Sequence, residues 1–109
     1  MNTTSAGKIA EQKAADWLES QAFEIIDHNW RTKVCEIDII ALKNNRIYFI
    51  EVKYRRSADY GVGLEYITGK KLRRMAFAAE VWKHTFNWNG DYTLAAIGMV
   101  GAEIDFIEL

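Results

Sequence analysis

Residues 36–53 read Glu-Ile-Asp-Ile-Ile-Ala-Leu-Lys-Asn-Asn-Arg-Ile-Tyr-Phe-Ile-Glu-Val-Lys, two apolar runs that each carry acids and that meet at an Asn-Asn pair. Both runs are rich in β-branched and aromatic residues, and asparagine tolerates the positive φ of a two-residue type I′ turn, so the segment reads as a β-hairpin. Carboxylates are foreign to such strands. An ionised group taken out of water without a partner is strongly disfavoured, or its pKa shifts until it is neutral.

Alternation along a strand places Glu36, Asp38 and Ile40 on one face of the first arm and Phe49, Glu51 and Lys53 on one face of the second. If Asn44 and Asn45 form the loop, Lys43 pairs with Arg46, and the register brings Asp38 opposite Glu51 and Glu36 opposite Lys53. Opposed side chains have Cβ atoms roughly 4.5–5.5 Å apart, and like charges so placed repel unless something positive sits between them. A divalent cation suits two carboxylates, Mg²⁺ in particular, and Lys53 beside it would orient water or neutralise charge developing on a phosphate. The residues alone leave a second reading open, an ordinary ion-paired patch joining Glu36 to Lys53 and the other acids to arginines.

The rest of the chain frames this hairpin. From about Ser5 to Gln21, Ile9, Ala10, Ala14, Trp17 and Leu18 recur at helical spacing, with Glu11 at the edge of the apolar stripe. Phe23 to Ile26 reads as a short strand, followed by a polar and aromatic connection through Lys33. Ser57 to Gly63 reads as a loop. Thr68 is the expected N-cap of a second helix reaching about Thr85, with Leu72, Met75, Ala76, Ala79 and Trp82 on one face. Tyr92 to Met99 and Ile104 to Leu109 read as two late strands.

At 109 residues, half of them hydrophobic, the chain is expected to form one domain over residues 1–109. Its single cysteine, Cys35, cannot close an internal disulfide, residues 1–8 carry no apolar leader, and no uncharged stretch approaches the ~20 residues of a membrane span. A cytoplasmic protein without membrane contact is the expectation.

Charge is distributed unevenly. The net charge is −1, yet residues 43–74 hold nine Lys/Arg against three Asp/Glu. Lys70, Lys71, Arg73 and Arg74 crowd the start of the second helix, where the macrodipole disfavours cations, and Arg55 and Arg56 leave the second hairpin strand. A bound phosphate would reverse that penalty, so these six residues form a candidate nucleic-acid track. A solvated charged face is the plainer alternative. Trp30, Tyr54, Tyr60 and Tyr66 lie among them as candidate stacking partners or as core residues.

The strings Glu36-Ile37-Asp38-Ile39-Ile40-Ala41 and Ile47-Tyr48-Phe49-Ile50-Glu51-Val52-Lys53-Tyr54-Arg55 resemble the signature of the YraN-like family of small bacterial proteins. That family resembles in turn the PD-(D/E)XK nucleases, among them restriction endonucleases and Holliday-junction resolvases. The likeness extends over roughly residues 7 to 80, through Ala10-Glu11, Asn29-Trp30-Arg31 and Ile67-Thr68. Cys35 stands where the family usually has glycine, and Ile37 replaces the proline of the superfamily name.

The resemblance implies an α/β, restriction endonuclease-like fold, a central mixed sheet with the hairpin at its heart and helices around it. It implies a Mg²⁺- or Mn²⁺-dependent endonuclease in which Asp38 and Glu51 hold metal, Lys53 is the active-site lysine, Glu11 completes the site and Glu36 supports Lys53. Nucleic acid is then the partner, DNA ahead of RNA and branched DNA among the substrates, with a homodimer as one assembly. Two alternatives to the enzyme are a non-catalytic nucleic-acid-binding module of the same fold and a protein-interaction domain.

Overall fold

Asn44 and Asn45 adopt φ of 52° and 63°, the two successive positive values of a type I′ turn, and Lys43 pairs with Arg46 across them. The computed structural model describes residues 5–55 and 67–109, with side chains from residue 7. The loop expected at Ser57 to Gly63, together with Arg56, Tyr60 and Tyr66, lies outside the described residues.

Helix α1 (Ser5–Ser20) precedes β1 (Glu24–Arg31), β2 (Glu36–Lys43) and β3 (Arg46–Arg55), and α2 (Gly69–Thr85) leads to β4 (Asp91–Val100) and β5 (Glu103–Glu108). The five strands form one sheet in sequence order. Only β3 and β4 pair in parallel, from Arg46↔Asp91 to Arg55↔Val100, so the chain between them must cross the sheet, and α2 belongs to that crossover. This is the expected α/β architecture, a mixed sheet between two helices, compatible with a restriction endonuclease-like fold.

Each helix covers one face of the sheet. Ala10, Ala14, Ala15 and Leu18 of α1 pack on Ile39, Ala41, Ile50, Ala95, Ile97 and Met99, the small residues letting the helix approach closely. On the other face Ala78, Ala79 and Trp82 of α2 pack on Ile37, Ile40, Ile47 and Phe49. Burial on both faces explains why the central strands are apolar almost throughout. No helix among the described residues is long and apolar enough to cross a membrane.

Three expectations change. Strand β1 does not stop at Ile26 but pairs with β2 as far as Arg31↔Glu36; a register shift between Ile25 and Asp27 and a φ of 50° at Asn29 disguise its alternation. On α1, Ile9 is 55% exposed, because the buried stripe centres on Ala14 and Leu18, which brings Glu11 towards the sheet. On α2, Ala78 is buried where Ala76 was expected, and Leu72 is partly exposed.

Candidate active site

The β2–β3 ladder keeps the expected register from Lys43↔Arg46 to Ile39↔Ile50 and ends there. Beyond it Asp38 does not face Glu51 through main-chain pairing. Its Oδ2 accepts the backbone N–H of Val52 at 2.8 Å, replacing a strand carbonyl with a side chain. On the β1 side, Asn29 stands across from Asp38, between the pairs His28↔Ile39 and Trp30↔Ile37. Both strands change face at this step: Ile37 and Trp30 join Ile40 on the α2 side, whereas strict alternation would have kept Ile37 with Ile39.

That turn of the strand undoes one expected pair. Glu36 does not meet Lys53; it is carried towards β1 and forms an exposed ion pair with Arg31 at 3.7 Å. It still lines the cleft that holds Asp38.

Burial raises the Asp38 carboxyl from 3.8 to about 6. The Val52 N–H opposes the shift by favouring the carboxylate, while the negative charges of Glu11, Glu51 and Glu36 reinforce it. Acids from α1, β2 and β3 thus act on one carboxyl group. Desolvation and like charge both favour its neutral, protonated form.

Glu51 shares the α2 face with Phe49 and lines the cleft with Asp38. Its Oε2 is paired with Nζ of Lys71, and the two side chains are only 21% and 25% exposed. Lys71 is therefore a partner of the candidate metal ligand rather than a surface cation. Thr68 fixes its place: the hydroxyl caps α2 by accepting the Lys71 N–H at 3.1 Å, as expected of this N-cap. Lys53 continues the same face of β3, half-buried beside Gly98 of β4.

Glu11 is half-buried, and its Oε1 accepts a hydrogen bond from Asn29 Nδ2 at 3.0 Å. Asn29 is a contributor that periodicity did not reveal. Its left-handed backbone turns the side chain towards α1, and asparagine is among the few residues that adopt this conformation at low cost.

A cleft of about 780 Å³ opens between α2 and the turn joining β1 to β2. Asp38 and Glu51 lie on its floor, and Lys70, Arg73 and Arg74 stand exposed along its helical wall. Arg31 at the end of β1 and Lys33 in the turn add cations, a contribution missed because that stretch reads as an irregular connection. The turn is held by the Thr32 hydroxyl, which accepts the N–H groups of Val34 and Cys35 at 3.1 and 3.2 Å. Arg55 is half-buried at the end of β3. Trp30 is committed to packing against Phe86, and Tyr54 lies near Ile9 and Met99, so neither is placed to stack in the cleft.

For a metal, the available donors are the carboxylate oxygens of Asp38 and Glu51. Among the described residues no three His, Cys, Asp or Glu side chains gather into a ready-made cage. Mg²⁺ and Mn²⁺ sites of the phosphoryl-transfer kind need none, since one or two carboxylates suffice when water and substrate phosphates supply the rest.

Residues 10–108 match the model of a family described as "Uncharacterised protein family UPF0102". A UPF0102 protein of Cytophaga hutchinsonii is 40% identical over 104 residues, covering 95% of this chain and 92% of the relative. One from Sulfurihydrogenibium is 37% identical over 109 residues, covering 99% and 95%. A third, from Renibacterium salmoninarum, is 46% identical over 76 residues, which are 70% of this chain and 64% of that protein.

Proposed function

The chain belongs to family UPF0102, the YraN-like, PD-(D/E)XK nuclease-like family, and on this premise we propose that it hydrolyses nucleic-acid phosphodiester bonds with the help of a divalent metal ion. Asp38 carries the proposal. Its carboxyl is fixed to Val52, pushed up to about 6 and surrounded by further acids, on the floor of a cleft whose walls are basic. Negative charge gathered at the floor favours a cation, and positive charge along the walls favours phosphates.

In this reading Asp38 and Glu51 hold Mg²⁺ or Mn²⁺. A bound divalent cation supplies charge that stabilises the phosphoryl oxygens in the transition state. Lys53, on the same face of β3 as Glu51, orients the attacking water or neutralises charge on the phosphate. Glu11, held by Asn29, deepens the negative potential that retains the cation. Glu36 adds to that potential but does not support Lys53. Lys71 compensates the charge of Glu51 and, were Glu51 to hold a cation, would be available to a phosphate. Lys70, Arg73 and Arg74, with Arg55 at the end of β3 and Arg56 next to it in sequence, bind the nucleic-acid backbone, DNA ahead of RNA.

The Glu51–Lys71 pair also favours a second reading, a binding module of the same fold that does not cleave, because it neutralises Glu51 without metal. A panel of single-stranded, flap, junction and duplex DNA, with RNA counterparts, incubated with Mg²⁺ or Mn²⁺, separates the two. Cleavage abolished by Glu51→Ala and by Lys53→Ala is the result expected of the enzyme. Salt-sensitive binding without cleavage anywhere in the panel assigns the binding module.

A further inference from the structure

Lys70, Arg73, Arg74 and Phe77 follow one another at i, i+3, i+4 and i+7 along α2, so they form one stripe, and that stripe is the helical wall of the cleft. Its three cations are exposed, as on any solvated helix face. Phe77 breaks the pattern: the ring belongs to neither core cluster and is 53% exposed, at a position where a polar side chain would be at least as stable. The facing wall adds Arg31 and Lys33. The Arg31–Glu36 pair joins side chains that are 65% and 64% exposed, and an exposed pair is weak enough to exchange for a phosphate.

Resting on the reading that this cleft takes nucleic acid, we propose that its ligand is a single strand, or the unpaired segment of a branched molecule, with its phosphates along the two basic walls and one base stacked on Phe77. Cations alone bind duplex and single strands alike. The ring decides between them. In a closed duplex each base is already covered by its neighbours, whereas an unpaired base has a free π-face that stacks on an aromatic side chain whatever its sequence. The acids of the floor keep phosphates off the centre of the cleft, so the strand follows the walls, where Phe77 stands in line with the cations.

The test is fluorescence anisotropy at low salt in EDTA, with a labelled oligothymidylate and a duplex of equal length. It compares the wild type with Phe77→Ala, Phe77→Tyr and the double variant Arg73→Ala/Arg74→Ala. Phe77→Ala is expected to weaken the single strand by about 5- to 100-fold and the duplex by less than about twofold, with Phe77→Tyr retaining the affinity. The arginine variant is expected to weaken both ligands and to reduce their salt dependence. Binding that ignores Phe77, or that falls equally for both ligands, overturns the inference and leaves the nucleic-acid reading standing. Absence of binding by the wild type removes that reading and the inference with it. Light scattering is the remaining check: a wild-type dimer that Phe77→Ala dissociates makes the ring a contact between copies, which also overturns the proposal.

Discussion

Oδ2 of Asp38 does for Val52 what a neighbouring strand's carbonyl does elsewhere in the sheet, accepting its N–H at 2.8 Å just past the last β2–β3 pair, Ile39↔Ile50. The carboxyl group is thus fixed by the backbone it helps to order.

Replacing that carboxyl with an amide is expected to stabilise the metal-free protein. The folded-state pKa, about 6, lies above the 3.8 of the free side chain, so the folded state binds more protons in between and stability falls as pH rises from about 4 to about 6. The amide oxygen keeps an acceptor for the Val52 N–H without the charge. Asp38→Asn should therefore unfold at higher urea than the wild type at pH 8, by about 1–2 kcal/mol after allowance for partial exposure, and the difference should vanish below pH 4. Urea titrations in EDTA at the two pH values measure this; a variant less stable at pH 8 would show that the hydrogen bond outweighs burial.

If Glu51 holds a divalent cation as proposed, Lys71, its ion-pair partner, competes with that cation. Lys71→Met removes the resident competitor, and if the pair contributes about 1 kcal/mol, Mn²⁺ should bind roughly fivefold more tightly. Isothermal titration calorimetry without nucleic acid reads the change directly. Unchanged affinity would mean that the ammonium leaves Glu51 at no cost.

Asn29→Gly keeps the left-handed backbone accessible and deletes the hydrogen bond to Glu11. Because both partners are partly exposed to water, stability should fall by only about 1 kcal/mol. Cleavage should fall much further if Glu11 must be held in place, and loss of the two in equal proportion would make Asn29 purely structural. Thermal unfolding and cleavage measured on the same preparation separate the cases.

How much of this was legible in the sequence depends on where local rules hold. The hairpin register follows from Asn44 and Asn45, and the start of α2 from Thr68, because turn and cap chemistry act over a few residues. Glu36–Lys53 failed because alternation was carried through Asp38, where a side chain ends the ladder and Ile37 changes face. Strand β1 was cut short for the same kind of reason, a bulge and one left-handed asparagine. Asp38 and Glu51 both line the cleft, although the pairing expected to set them opposite each other is not made, whereas Lys71 on Glu51 and the cations Arg31 and Lys33 depend on how α2 returns across the sheet. No short-range pattern encodes that.

The β3–β4 pairing also bears on how the cleft comes into being. The acids sit on a hairpin closed by two residues, a contact the chain can make early, but the helix that walls them in is secured only when β4 finds β3 from far along the sequence. Floor and wall are thus expected to form at different times. During refolding the floor should gain protection from hydrogen exchange ahead of α2, leaving for a time a cluster of carboxylates open to solvent and to any cation in it.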